Sequence, residues 1–322
     1  MNEKLIAEKN KILEFKVGSY LYGTNTENSD TDICGIFLPN IEYVLGFKTC
    51  EEVDLSVIDK LENGKNSSKA LDKKYYEFRK FIKLALENNP NILEMCFVNN
   101  KNITFINDIG RNLLRIKHLF PYKGLKQKFL GYAFSQKHKM VIKKDNYFDF
   151  KNYQSYIITK YKNNLSKSLI ELIFEGNYPY FIKKSLDKYG NINFVTVGDV
   201  NFMPATTLYK SLNMIEDRLS KVGNREELTL KYGYDCKFGS HLIRLMLEGV
   251  ELLTTGNLEF PLKDANLIKD IKQGKWKLEE ILDYSNELEL QIEDLSKNSK
   301  LPERPNYDEI ERFTIDILKQ TI

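Results

Sequence analysis

The stretch "VGSYLYGTNTENSDTDICGIFL", residues 17–38, decides how the rest of the chain is read. Asp30 and Asp32 stand two apart at the head of an apolar run that Pro39-Asn40 stops. Residues two apart on a strand share a face, so the two carboxylates project together. Cys34, Ile36 and Leu38 continue that face, and Ile33 and Phe37 lie on the other. A strand apolar on both faces past its start is one buried within an α/β sheet. Two close carboxylates raise each other's pKa unless a cation neutralises them. Oxygen ligands favour Mg²⁺ or Mn²⁺, and magnesium held by one or two carboxylates also takes substrate phosphates as ligands. Gly18 and Ser19, at a strand-to-helix turn, offer backbone N–H groups and a hydroxyl suited to those phosphates. The plain alternative is a turn carrying two solvated acids. A calcium loop is excluded, because its fifth, seventh and twelfth positions fall on Cys34, Ile36 and Ile41.

Working outward, residues 3–14 read as a helix leading into a strand, Leu13–Val17, and residues 51–58 as a further strand. After the polar loop "ENGKNSSKA" (62–70), a short strand Leu71–Lys74 leads into the helix "YYEFRKFIKLALENN" (75–89), which Pro90 ends. Alternating strands and helices make residues 1–110 an α/β or α+β unit on a small mixed sheet. Residues 111–322 are mostly helical and form the expected second domain, with an extended or hairpin insertion at 189–204. The 322 residues give room for both, and 42% hydrophobic with 29% charged residues is ordinary for a soluble globular protein. No stretch approaches the roughly 18 apolar residues of a membrane helix. The start, "MNEKLIAEKNK", is not a secretory signal. Four scattered cysteines without a C-x-x-C pair, and three histidines, point to a cytoplasmic protein without structural zinc.

A net charge of +3 hides an uneven distribution. Between residues 101 and 170, fifteen Lys and Arg face three Asp and Glu and are interleaved with twelve aromatics, whereas acids outnumber bases after residue 275. The basic middle suits a nucleic-acid acceptor, with Lys123 and Lys126 among the phosphate contacts and Tyr132 among the stacking rings. The alternative is a solvated helical face over core aromatics. In "CKFGSHLIRLMLEGVELL" (236–253), Lys237, His241, Arg244 and Glu248 fall within a stripe about 60° wide on an otherwise apolar helix. Such a stripe is satisfied either by internal pairs such as Arg244–Glu248 at i,i+4 or by a ligand. The second reading makes Lys237 and His241 triphosphate-binding residues in an inter-domain cleft and Arg244 an acceptor contact. Trp276, in "QGKWKLEE", reads as a packing anchor after a helix-ending Gly274.

Gly-Ser followed some ten residues later by Asp-x-Asp resembles the signature of the DNA polymerase β-type nucleotidyltransferases. The resemblance continues through "YYEFRKFIKLALENNPNILEMCF" (75–97), "FLGYAFSQKHK" (129–139), "YDCKFGSHLIRLMLEGVELLTTG" (234–256) and "SKLPERPNYDEIE" (299–311), in that order. Together they are similar to the RNA-ligase-associated (RlaP-type) branch of predicted nucleotidyltransferases. The resemblance implies transfer of a nucleoside monophosphate from a nucleoside triphosphate to an acceptor hydroxyl, with release of pyrophosphate and use of an RNA end as acceptor. It implies metal ligation by Asp30, Asp32 and a third acid, for which Asp72 is preferred and Asp54 is the alternative. Transfer to a small molecule or protein hydroxyl, and a catalytically silent nucleic-acid-binding module, are the competing readings.

Overall fold

The computed structural model describes residues 3–27, 29–57, 59, 71–220 and 231–320; the polar loop 62–70 lies outside them. Helix α1 (Glu3–Lys9) leads into β1 (Lys11–Val17), and Gly18 turns the chain into the single-turn helix α2 (Ser19–Tyr22). Strand β2 (Asp32–Phe37) returns antiparallel to β1, with Val17 opposite Asp32 and Phe15 opposite Cys34. Helix α3 (Ile41–Val44) and β3 (Glu52–Asp54) follow, and then β4 (Asp72–Glu77), which runs parallel to β2. Parallel neighbours need a crossover rather than a hairpin, which is why so much chain separates these two strands. With β5 (Ile103–Ile106), the sheet has the order β3-β4-β2-β1-β5 and is mixed in direction.

Strand β2 is buried from Cys34 to Phe37 and half-buried at Asp32 and Ile33, so its acidic end is the open one. Ile6, Ala7, Tyr43, Val53 and Tyr75 pack with Phe37 on one side of the sheet. Residues Tyr75–Glu77, expected to open a helix, extend β4 instead. Two contacts explain this. The Tyr75 ring lies against Gly35, where a Cβ would sit 2.4 Å from it, and its hydroxyl donates to Glu14 across the sheet. Glu77, in extended backbone, caps α4 (Phe78–Leu86) by accepting from the N–H groups of Arg79 and Lys80, both at 3.1 Å. Asn89 then caps α5 (Pro90–Cys96), with Pro90 at the first helical position, where its missing N–H costs nothing.

Beyond α6 (Asp108–Arg115), one helix, α7, runs unbroken from Leu125 to Tyr161. A capping box between Ser168 and Glu171 starts the short α8 (Leu169–Phe174). The insertion at 189–204 belongs to a three-stranded antiparallel meander, β6 (Ile182–Leu186), β7 (Ile192–Val197) and β8 (Val200–Phe202), followed by α9 (Leu208–Ser220). Further helices span Cys236–Thr255, Ala265–Lys272, Leu278–Asn298 and Tyr307–Lys319.

Contacts divide the chain into two compact units that do not follow the expected boundary at residue 110. One comprises residues 1–134, 240–271 and 281–322 and holds the five-stranded sheet. The other comprises 135–239 and 272–280. It has its own core of Tyr153, Ile157, Val195, Val197, Leu208 and Ile215, among others. No described helix is long and apolar enough to cross a membrane, and the four cysteines are free and buried.

Candidate active site

The parallel register of β2 and β4 sets Asp32 directly beside Asp72. Adjacent strands lie about 4.8 Å apart, so the two side chains are neighbours on one face of the sheet. Asp30 precedes the strand and is exposed. Asp54, the alternative third acid, pairs in register with Lys74, two positions along β4 from Asp72. The Ser56 side chain, and then the Ser56 backbone N–H that the Asp54 carboxylate accepts at 2.8 Å, hold its pKa below the usual value. The Ser56 hydroxyl in turn donates to Asp72 Oδ1 at 3.3 Å. Ser56 was not legible in the sequence as a site residue, because nothing local in "DLSVID" ties it to an acid sixteen residues on.

The Gly18 backbone comes close to the Asp32 carboxylate. It has φ +64°, and a Cβ built on it would lie 2.6 Å from Asp32 Oδ2. Only glycine combines that conformation with that approach. Ser19 follows as the first residue of α2 and is half-buried. Cys34, on the same face as Asp32, is buried, and burial pushes its thiol up to about 12, so it supplies no thiolate.

Helix α2 is fixed from behind by a buried ion cluster within the same unit. The Tyr22 hydroxyl donates to Glu94 Oε1 at 2.7 Å, and the Arg244 guanidinium lies 4.3 Å from the Tyr22 ring centroid. Arg244 Nη1 donates to Glu94 Oε2 at 2.6 Å and to both oxygens of Glu248 at 2.9 and 3.0 Å. Arg244, Glu94 and Glu248 are each no more than 3% exposed. Burial raises the pKa of both carboxyls, and the charge on Arg244 opposes it. The i,i+4 pair expected as one reading of the helical stripe is therefore present, with Glu94 as a second partner. It takes the place of the acceptor contact expected of Arg244, since a guanidinium this deep and this engaged presents nothing to a polynucleotide.

The other expected acceptor residues are also engaged. Lys123 Nζ pairs with Glu303 at 2.6 Å, Lys126 pairs with Glu293, and the Tyr132 hydroxyl accepts from Asn89 Nδ2 at 3.0 Å. Among the interleaved aromatics, Phe120, Phe129, Tyr147, Phe150, Tyr153 and Tyr161 are buried. Lys237 is exposed and His241 half-buried on the helix Cys236–Thr255. His241 lies in the compact unit that holds the acids, and Lys237 in the other.

Among the described residues, no three His, Cys, Asp or Glu side chains form a ready metal cage. The donor set nonetheless suits a hard divalent cation. Two in-register carboxylates are the usual protein share for Mg²⁺, whose remaining positions go to water and substrate phosphates. Asp32 and Asp72 are the residues that could hold such an ion, with Asp30 two residues upstream of Asp32.

An uncharacterized 38.9 kDa protein from the nrdC-mobD intergenic region of Enterobacteria phage T4 is 24% identical over 295 residues, covering 86% of each chain. A nucleotidyltransferase-like protein from Exiguobacterium sibiricum 255-15 aligns over 98% of this chain and 77% of its own. At 8% identity and a TM-score of 0.26, that alignment is too loose to place any residue. Residues 5–158, which carry the Gly-Ser turn and all the candidate acids, match the model of the RNA repair pathway DNA polymerase beta family, RlaP, and so bear out the resemblance to polymerase β-like nucleotidyltransferases.

Proposed function

We propose that the chain transfers a nucleoside monophosphate from a nucleoside triphosphate to an acceptor hydroxyl, releasing pyrophosphate. The observation that carries this reading is the register of Asp32 beside Asp72, with the Gly18 backbone against the Asp32 carboxylate. In this reading Gly18 and Ser19 bind the triphosphate, as the family match and the close backbone approach suggest. Asp30, Asp32 and Asp72 would hold Mg²⁺ or Mn²⁺, which would supply stabilisation of the negative charge that develops during transfer. Asp72, at the open end of β4, accepts the proton of the acceptor hydroxyl. The oxygen freed in this way forms the new bond to the α-phosphorus. The α–β phosphoanhydride bond breaks, and its electron pair leaves with pyrophosphate. His241, in the compact unit that holds the acids, remains a candidate triphosphate contact through the resemblance of residues 234–256 to the family. The acceptor is an RNA end, a reading supported by the RNA-repair family.

The test is incubation of the full chain with each α-labelled nucleoside triphosphate, Mg²⁺ or Mn²⁺, and cellular RNA. Label should enter RNA with the parent chain and not with Asp30→Ala/Asp32→Ala. Label on a small molecule or on protein would move the acceptor to those classes. No label in any fraction would remove the transfer reading.

A further inference from the structure

The end of the sheet away from the acids opens into a cavity of about 560 Å³, lined by residues 9–12, 38–42 and 107. All of them lie in the compact unit that holds the sheet. Lys11 pairs with Phe37 at this end of the two strands, and Val17 with Asp32 at the other, five residues back along β2. At about 3.3 Å per residue that is roughly 17 Å, so the cavity is separate from the acids. Its floor is apolar and fixed by backbone. Ile12, Leu38 and Pro39 are buried. The Leu38 N–H donates to the Asn10 carbonyl and the Asn107 N–H to the Ile12 carbonyl, each at 3.1 Å. Gly110 of α6 closes on the same Ile12 carbonyl, where a Cβ would lie 2.3 Å away.

The polar groups around this floor are held in place but not used up. Asn10 Nδ2 donates to Asn40 Oδ1 at 2.9 Å. Asn40 immediately precedes α3, yet its side chain caps nothing there. The pair leaves Asn10 Oδ1 and Asn40 Nδ2 without partners among the described residues. Asn107 Oδ1 accepts the Gly110 N–H at 3.0 Å, and Asn107 Nδ2 is free among the described residues. Lys9 is exposed and Glu42 half-buried, and neither makes an ion pair among the described residues. Lys11 is set apart from them, since its ammonium reaches Glu8 and Glu14 and lies over the Phe105 ring.

A free amide acceptor beside free amide donors, over an apolar floor, matches a nucleobase, whose edge sets donors and acceptors side by side on a flat ring. The Glu42 carboxylate is an acceptor for ribose hydroxyls, and the uncompensated Lys9 ammonium is a partner for phosphate. At about 560 Å³ the cavity falls within the roughly 300–1,000 Å³ of ordinary ligand pockets, and a lone phosphate would leave most of it empty. We infer that Lys9, Asn10, Asn40, Glu42 and Asn107 form a binding site for a ribonucleotide, with its base over Ile12 and Leu38 and its phosphate at Lys9. A free mononucleotide and the phosphorylated end of a strand offer the same chemistry, and the experiment separates them. The inference does not depend on the transferase reading, because binding is measured without metal or turnover.

The full chain is titrated calorimetrically, in EDTA, with the four ribonucleoside 5′-monophosphates, their 2′-deoxy counterparts and the free nucleosides. Inorganic phosphate and a 5′-phosphorylated oligoribonucleotide complete the set. Saturable binding of at least one ribonucleoside monophosphate is expected, tighter than that of its deoxy counterpart and of phosphate. Lys9→Ala should weaken the monophosphate by about tenfold and leave the free nucleoside unchanged. Glu42→Ala should remove the preference for ribose over deoxyribose. Circular dichroism checks that the variants are folded. Tighter binding of the mononucleotide than of the oligonucleotide supports the site as one for a free nucleotide, and the reverse supports it as one for a strand end. Asp30→Ala/Asp32→Ala should bind like the parent, which separates failure of this site from failure of the transferase. Four results would each overturn the inference. These are no binding of any ribonucleotide, phosphate binding as tightly as the nucleotides, binding lost in Asp30→Ala/Asp32→Ala, and binding unchanged in a folded Lys9→Ala/Glu42→Ala double variant.

Discussion

At the residue scale, the acid pair depends on a glycine. With φ +64° and a virtual Cβ 2.6 Å from Asp32 Oδ2, Gly18 leaves no room for a side chain. Gly18→Ala should cost on the order of 1–3 kcal/mol of stability through backbone strain alone. Nucleotide transfer should fall further, by about 100-fold if the Asp32 carboxylate is displaced by 1 Å. Circular dichroism and kcat at saturating triphosphate separate the two effects; unchanged kcat would detach Gly18 from the site. Arg244 makes the complementary case. Arg244→Met leaves the Glu94 and Glu248 carboxyls buried without their cation, a loss of about 3–5 kcal/mol in urea unfolding. Replacing Glu94 and Glu248 by leucine in the same chain should recover most of it. The Arg244–Glu248 half of this cluster was legible from its i,i+4 spacing. The Glu94 half was not, since no local rule joins residues 150 positions apart.

At the element scale, the face of the sheet opposite the acids is held by Glu14. Although burial raises the pKa of this carboxyl, hydrogen bonds from Tyr75, Lys73 and Thr104 hold it down at about 2. Lys73 Nζ lies 3.0 Å from Glu14 Oε2, and the Thr104 hydroxyl donates to Oε1 at 2.9 Å, so β1, β4 and the β5 strand meet on one side chain. The folded carboxyl sits below its unfolded value of 4.5, so its contribution is complete above that pH. It is lost as pH falls from about 4.5 to about 2, and amounts to about 3 kcal/mol. Glu14→Gln should therefore lower the melting temperature at pH 7 and flatten its fall across that window. The Tyr75 ring reaches Glu14 by crossing Gly35. Gly35→Ala should consequently destabilise the sheet by about 1–3 kcal/mol through overpacking. The sequence made β2 readable by its apolar run, whereas Asp72 was preferred to Asp54 only through the family resemblance. It misjudged where β4 ends, because "YYEF" satisfies a helical period and only the cross-sheet contact of Tyr75 makes it strand.

At the scale of the whole molecule, the compact unit around the sheet is completed by chain that arrives last. Phe313 packs on Phe78 of α4 with ring centroids 6.2 Å apart, and the Phe260 carbonyl accepts from Asn99 at 2.8 Å. The Leu262 N–H donates to the Tyr22 carbonyl at 3.1 Å, against the helix that carries Ser19. The basic segment around Lys123 and Lys126 and the acidic tail around Glu293 and Glu303 are two sides of one set of ion pairs, and counting charge along the chain does not reveal the pairing. A domain boundary at residue 110 follows from the change from strands to helices, but compactness depends on contacts that return from residues 240–322. A fragment of residues 1–110 should therefore fail to fold. It strands the buried Glu94 carboxyl without Arg244, which alone costs about 3–5 kcal/mol against a typical net stability of about 5–15 kcal/mol. It also removes Phe313 from the buried Phe78, an exposure that costs up to about 1.5–3 kcal/mol more. Far-UV circular dichroism and a urea titration of the fragment beside the full chain provide the check. A cooperative transition in the fragment alone would show that the sheet stands without its C-terminal cover.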